Sequence, residues 1–333
     1  MKICIWITKI FDLGGTKRVV SLLANELVKE HEVTIMTYED RFREDRTMYH
    51  LSEDINVDFI DNSQFVNKHH TPAFCARYLV KKLNDRSGMF NKKSLNPILA
   101  EAIFPQKTRE KWVEYFNSQD YDVILTTASL SLRLAMIAPR LKAATIGWQH
   151  NCYDGYLHVK PVVFWQQENL LQQYLPNLDR YIVLSDYDKR DYMEKLGIDC
   201  EVKINPRSFV SEKKCDVKSK RFLMATRFVY AKGLDLMMES FEEFCKEDSE
   251  WELDIIGDGD LFDQIRADAK KRHLEKRVHF VGYTNEPEKY YLNSSVFLLP
   301  SRWEGWPMVI MEAFEFGLPV IAYHMGAMED RKS

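Results

Sequence analysis

Short runs of β-branched and aromatic residues alternate along this chain with longer stretches whose apolar positions recur every three or four residues. The short runs fall at 3–8, 33–37, 55–60, 123–127, 144–148 and 180–185, and again at 221–226, 251–257, 278–281, 296–300 and 319–323. Val19, Val20, Leu22, Leu23, Leu27 and Val28 place an amphipathic helix directly after the first run. The second series is interleaved with helical patterns near 233–246, 260–271, 287–293 and 307–316. Strands that alternate with helices form βαβ units, and such units build parallel sheets. The pattern predicts an α/β fold of two Rossmann-like, doubly wound domains, residues 1–205 and 206–333. The polar stretch from Asn205-Pro206-Arg207 to Lys220 lies between the two series and reads as the linker. Residues 61–118 are helical in part and polar, and fit no plain βαβ unit.

Composition narrows the functional classes. At 333 residues the chain is long enough for two domains with a core each. Its 45% hydrophobic and 29% charged residues are those of an ordinary soluble protein, and the 13% aromatic share leaves large side chains for a ligand cleft. A formal net charge of −4 argues against a nucleic-acid partner. No apolar run approaches the roughly 20 residues of a membrane-spanning helix. The opening Met1-Lys2-Ile3-Cys4-Ile5-Trp6-Ile7 is too short for a signal peptide and reads as a strand. The six cysteines, Cys4, Cys75, Cys152, Cys200, Cys215 and Cys245, are scattered without a CxxC pair. That speaks against a zinc site or a disulfide framework and suits a reducing cytoplasm.

Open parallel sheets bind ligands outside the carboxyl ends of their strands, so chemistry is expected just after strands and in the cleft between the two domains. Gly14-Gly15-Thr16 follows the first strand and opens a helix, where backbone N–H groups are free for an anion. A tight turn would explain the same residues, and the spacing is not that of a dinucleotide fingerprint. Arg227, after strand 221–226, and Lys232-Gly233, opening the next helix, could hold a diphosphate, one cation as a fork and the other as a point charge. Gly257-Asp258-Gly259-Asp260 offers an Asp-x-Asp pair, but its glycines suit a ligand-side turn better than a metal site, so no metal is expected. Trp148-Gln149-His150-Asn151 follows strand 144–148 beside Tyr153 and Tyr156. The strongest constellation is Pro300-Ser301-Arg302-Trp303-Glu304-Gly305-Trp306-Pro307, continued by Met308 to Ala313. One carboxylate, Glu304, sits at a loop apex; Glu312 lies on the helix that Pro307 opens, a position where its missing N–H costs nothing.

These residues resemble family 4 of the glycosyltransferases, retaining enzymes with a B-type fold of two Rossmann-like domains facing a cleft. The resemblance covers nearly the whole chain and is strongest from 221 to 321. Its most specific element is the Glu-x7-Glu pair, Glu304 and Glu312. Arg227 and Lys232-Gly233 match the family's diphosphate-binding cations, Gly257-Asp258-Gly259 its glycine turn, and Gly14-Gly15 the loop facing the donor phosphates. Ser301, Gly305, Trp306 and Pro307 match the loop before the catalytic helix, and His150 falls where a histidine stands near the reacting sugar. The resemblance implies a nucleotide-sugar donor, commonly a uridine diphosphate sugar, gripped by Arg227, Lys232 and backbone N–H groups. It implies no metal and no other cofactor. Glu304 would contact the sugar and Glu312 the ribose. The family usually continues past strand 319–323, so the second domain is expected to be incomplete at its C-terminus.

For the acceptor the resemblance points to a glycan or a lipid-linked molecule of surface polysaccharide or glycolipid synthesis. Residues 67–93 carry Lys68, Arg77, Lys81, Lys82, Arg86, Lys92 and Lys93 with His69 and His70 alongside, interleaved with Phe74, Tyr78, Leu79, Leu83 and Phe90. That mixture could dock on an anionic membrane surface at the inner face of the membrane. Two other functions fit the same architecture: a non-catalytic sugar-nucleotide-binding partner of a transferase, and a sugar-nucleotide epimerase.

Overall fold

The computed structural model describes residues 1–39, 41–61, 63, 65, 71–159, 163–208, 210–248 and 250–326. The chain divides into two compact units, Met1–Pro206 and Arg207–Ser333. In the first, among the described residues, strands β1 (Lys2–Trp6), β2 (Glu32–Thr37), β3 (Asn56–Phe59), β4 (Val123–Thr127), β5 (Ala144–Trp148), β6 (Arg180–Val183) and β7 (Glu201–Val202) form one sheet in the order β3-β2-β1-β4-β5-β6-β7. Every pairing is parallel. The strand order reverses between β1 and β4, which is the switch point of a doubly wound sheet. β7 is two residues long and carries no periodic signal to read in advance.

Helices α1 (Gly15–Leu27), α2 (Pro72–Ser87), α3 (Asn96–Ile103), α4 (Gln106–Ser118), α5 (Ser129–Ile137), α6 (Tyr153–Leu157), α7 (Glu168–Tyr174) and α8 (Asp186–Leu196) connect these strands. Aromatic rings dominate part of the core. Trp112 of α4 stacks on Phe65 with centroids 3.9 Å apart and meets Trp6 of β1 at 4.6 Å. The segment 61–118 resolves into helices rather than a βαβ unit, and its seam is polar. Asn84 donates from Nδ2 to the Gln166 carbonyl at 2.7 Å and accepts the Phe90 N–H at 3.1 Å. Asn96 donates to the Asn169 carbonyl at 2.9 Å and to Gln173 at 2.7 Å, while Asn169 donates to the Asn91 carbonyl at 2.9 Å. Side-chain amides thus join α3 to α7, and α2 to the loop that leads into α7.

The second unit holds β8 (Arg221–Ala225), β9 (Glu252–Ile256), β10 (Val278–Gly282), β11 (Val296–Leu299) and β12 (Val320–Ala322), with helices α9 (Leu234–Glu247), α10 (Phe262–Lys271), α11 (Glu288–Leu292) and α12 (Met308–Glu315). Among the described residues its sheet has five parallel strands in the order β10-β9-β8-β11-β12. Side chains alternate between faces along each strand. Phe222 and Met224 pack with Leu234, Met238 and Phe241 of α9 on one face; Leu223 and Ala225 pack with Tyr291 of α11 and Ile310 and Ala313 of α12 on the other.

One expectation needs correcting. The stretch 207–220 is not a free linker. Among its described residues, Ser211 N–H donates to the Glu315 carboxylate at 2.9 Å and Cys215 N–H to the Phe316 carbonyl at 2.8 Å. The segment is laid against the end of α12, because that helix terminus leaves carbonyls in need of donors. The boundary between the units accordingly falls after Pro206, one residue beyond Asn205.

Candidate active site

β8 and β11 are neighbours in the second sheet, with Val296 in register with Phe222. The chain leaves β8 for α9 on one face and leaves β11 for α12 on the other. In open α/β sheets such a divergence, at the carboxyl ends of the two strands, is where ligands bind. The loops 226–233 and 300–307 meet there. Lys232 closes a 3-10 turn, Tyr230–Lys232, and its Nζ lies 2.5 Å from Oε1 of Glu304. Ser301 Oγ donates to the same carboxylate oxygen at 2.7 Å. Glu304 is 8% exposed, and its second oxygen takes no hydrogen bond from the described residues. Gly233, in the left-handed region at φ 63°, lets the two loops touch: a Cβ there would stand 2.0 Å from the Pro300 carbonyl oxygen.

Arg227 stands in the same loop as Lys232, exposed, and no carboxylate among the described residues pairs with it. Its loop is braced from below by the turn after β9. Phe228 N–H donates to the Asp258 carbonyl at 2.9 Å, and Leu261 N–H to the Phe228 carbonyl at 2.9 Å. The close approach needs glycine. At Gly257, φ 125°, a Cβ would stand 1.8 Å from the Thr226 carbonyl oxygen, and at Gly259 one would stand 2.9 Å from Phe228 N. Gly257 and Gly259 therefore carry the Arg227 loop. Asp258 and Asp260 are exposed, and among the described residues no three His, Cys, Asp or Glu side chains gather to hold a metal ion.

Gly305 and Pro307 are buried and Trp306 half-buried. Pro307 is the residue before α12 rather than its first helical position, with ψ at 105°. Glu312, 5% exposed, accepts the Tyr291 hydroxyl at 2.8 Å, so the two carboxylates of the Glu-x7-Glu pair are held by different partners.

The first unit places its candidates after β1 and β5, strands separated by β4. Gly14, φ 154°, donates its N–H to the Tyr49 hydroxyl at 2.8 Å. Gly15 begins α1, and the space where its Cβ would stand is open, which leaves that helix start accessible. The loop before it hangs on Glu39, whose buried carboxylate accepts the N–H groups of Ile10 at 2.5 Å and Phe11 at 2.9 Å. His150 lies against Trp148, with ring centroids 4.5 Å apart, and both of its ring nitrogens are buried without a hydrogen-bond partner among the described residues. The residue is half-buried as a whole, yet the part that titrates is out of water. Burial alone lowers the imidazole to about 3, so His150 is neutral across the physiological range. It can exchange hydrogen bonds there but cannot contribute positive charge.

Residues 208–330 match the family described as glycosyl transferases group 1, and residues 13–208 match the one described as Glycosyltransferase Family 4. The chain belongs to glycosyltransferase family 4. An uncharacterized glycosyltransferase of Haemophilus influenzae is 27% identical over 208 residues, spanning 61% of this chain and 56% of that protein. A lipopolysaccharide 1,6-galactosyltransferase of Salmonella typhimurium is 31% identical over 105 residues, spanning 30% of this chain and 29% of that protein. The matches thus cover 56% or less of these curated relatives. Among solved structures, the lipopolysaccharide outer core galactosyltransferase WaaB in its apo form superposes with a TM-score of 0.63 at 21% identity, covering 97% of this chain and 80% of that one. A point mutant of S. aureus TarM, solved with fondaparinux, α-GlcNAc-glycerol and UDP, does so at 0.71 and 14%, covering 97% and 86%. The family 4 chain shares the two-Rossmann, B-type fold with both.

Sequence reasoning passed over Glu39, Tyr49, Asp235, Tyr291 and the side chain of Arg302. Glu39 had a signal, a carboxylate two residues past a buried strand. The others are read only from the contacts they make.

Two measurements check this geometry. Gly257→Ala is expected to cost about 3 kcal/mol in chemical denaturation, whereas Gly15→Ala, which meets open space, changes stability by less than about 0.5 kcal/mol. The His150 Cε1 resonance, assigned by its loss in His150→Gln, is expected to stay flat from pH 8 to pH 5. Because the folded pKa lies below the unfolded one, His150 contributes its full stabilisation above about pH 6.5, and that contribution declines as the pH falls towards 3.

Proposed function

We propose that the chain is a retaining glycosyltransferase that moves a hexose or N-acetylhexosamine from a nucleotide-diphosphate sugar, of the uridine series, to a glycan or lipid-linked acceptor. The observation that carries this reading is the contact of Lys232 with the buried Glu304, 2.5 Å apart at the carboxyl ends of β8 and β11, with Arg227 exposed in the same loop as Lys232 and paired with no carboxylate among the described residues. In the proposed reaction the bond between the sugar's anomeric carbon and the diphosphate oxygen breaks. The acceptor hydroxyl forms its new bond from the same side of the ring and passes its proton to the departing diphosphate. Negative charge grows on the leaving group, and preorganised cations that meet it there supply the largest share of rate enhancement. Arg227 takes the phosphates as a fork and Lys232 as a point charge. Lys232 must then exchange the Glu304 carboxylate for phosphate, which frees Glu304 to accept a sugar hydroxyl. Glu312 binds the ribose, with Gly305, Trp306 and Pro307 shaping the floor beneath it. In this scheme the cations do the work of a divalent metal. His150, neutral, hydrogen-bonds a sugar hydroxyl, and the Gly14-Gly15 turn offers the N–H groups of the helix start at Gly15 to the donor, the Gly14 N–H being held by Tyr49.

The named relatives in lipopolysaccharide synthesis support an acceptor of the surface-glycan class. On the acceptor side, α2 presents Tyr78 at 59% and Leu79 at 56% exposure beside Lys81, Lys82 and Arg86. This combination supports docking on an anionic lipid surface. Lys68, His69 and His70 of the same basic stretch lie outside the described residues. Among the described residues no helix is long and apolar enough to cross a membrane.

Glu304→Gln separates catalysis from binding. Transfer is expected to drop at least about a hundredfold, since a contact made at the reacting centre is lost. UDP alone is expected to bind about threefold or more tightly, because the anion competing for Lys232 is gone. Weaker UDP binding in this variant would contradict the exchange. For the surface, vesicles containing phosphatidylglycerol at low salt should sediment the protein, and reversing Lys81 and Lys82 to Glu should cut that binding at least about tenfold.

A further inference from the structure

Arg302 occupies the β11–α12 loop two residues before Glu304, and its guanidinium turns to the protein itself. It grips Asp235 of α9 as a fork, Nη1 to Oδ1 at 2.8 Å and Nη2 to Oδ2 at 2.6 Å. Nη1 also donates to the Tyr230 carbonyl at 2.9 Å, and the guanidinium lies 4.0 Å from the centroid of the Tyr230 ring. From the backbone, Arg302 N–H donates to the Ala231 carbonyl at 2.8 Å. The Tyr230 ring in turn meets Trp303 at 6.0 Å. These contacts converge on one short turn, Tyr230–Lys232, whose last residue is the site lysine.

We propose that Arg302 is a positioning residue: it latches the Tyr230–Lys232 turn to the β11–α12 loop and so fixes where the Lys232 ammonium stands. Lysine is a flexible four-carbon stem, and a point charge at its end is only as well placed as the backbone that carries it. The turn is closed by Lys232 N–H on the Val229 carbonyl at 3.0 Å and by Gly233 N–H on the Tyr230 carbonyl at a long 3.3 Å, and Gly233 has no Cβ to restrict its backbone. Arg302, which also reaches Asp235, adds a second hold on the Tyr230 carbonyl and takes the Ala231 carbonyl across the loop. An isolated surface ion pair does little, but a bidentate arginine–carboxylate fork with a low-exposure guanidinium is the exception in geometry. The Arg302 side chain is 18% exposed. Both of its terminal nitrogens are already occupied, so Arg302 holds the turn and leaves the phosphate to Lys232. A lysine at 302 would keep the charge but lose the fork.

The inference rests on the reading that Lys232 binds the donor diphosphate, and the experiment keeps the two apart. Calorimetric titration with UDP, GDP and ADP identifies the nucleotide that the wild-type chain binds, and that nucleotide serves as the probe. Lys232→Ala is expected to weaken it about tenfold and Arg302→Gln about fivefold, with the Arg302→Gln effect falling below about twofold in the Lys232→Ala background. Arg302→Lys should recover less than half of the loss. A merely structural role would lower the melting temperature without this coupling to Lys232. Should Arg302→Gln weaken binding by the same factor in both backgrounds, or leave it unchanged while Lys232→Ala weakens it, the latch is refuted and the diphosphate reading stands. Should Lys232→Ala leave binding unchanged, or none of the three nucleotides bind, both fall. If Arg302→Gln does not fold, Asp235→Asn releases the latch from its more exposed side, and the same outcomes apply.

Discussion

A carboxylate and an ammonium brought together out of water hold each other closely, and each is costly to leave alone once its partner is removed. The contact between Lys232 and Glu304 has this character, and the organisation of the second unit can be understood from it. The two residues arrive from loops that depart adjacent strands toward opposite faces of a sheet, so nothing in the local chain brings them together. Gly233 must be glycine for the loops to approach, Ser301 must donate to the shared oxygen, and Arg302 must hold the turn. The arrangement is also provisional by nature. On the proposed reading, the carboxylate that quiets the lysine is an occupant that an incoming diphosphate replaces, and the pair satisfies both charges until then.

Much of this was legible in the sequence, because the signals were periodic. Parallel strands buried on both faces read as short continuous apolar runs, and α9 declares itself through Leu234, Met237, Met238 and Phe241 at helical spacing. Motif residues placed after strands were legible too, since a switch point depends on strand order and strand order follows from alternation. What escaped was whatever depends on contact rather than period. In α2 only Asn84 is buried among 16 residues, and the half-buried stripe of Phe74, Val80 and Leu83 is blurred by the exposed Tyr78 and Leu79. Arg302 looked like one more surface arginine within a motif prized for its carboxylates. The stretch 207–220 looked like a linker because its bonds to the end of α12 run through backbone N–H groups and through Arg207 and Lys214, cations that read as ordinary surface charge.

The glycines of the second unit illustrate how one residue type answers different demands. Gly257 and Gly259 face other loops rather than open space, and their role is to let the turn after β9 support the turn after β8. Gly15, by contrast, faces nothing within van der Waals reach. The same letter in the same kind of position thus means bracing in one unit and access in the other. The histidine after β5 carries a similar lesson. Placed where a charged acid would be sought, His150 is held neutral by burial alone, and its chemistry is that of a dipole.

The amide seam between α2–α3 and α7 has a consequence for how the first unit can change over generations. Helices packed by grease can slide or rotate as their apolar residues drift, and their outer surfaces move with them. Here Asn84, Asn91, Asn96 and Asn169 lock the pitch of the helical insert through directional bonds. The outward side of α2 is thereby released from any duty in folding. Its lysines and aromatics can be rewritten while the helix beneath them stays in place.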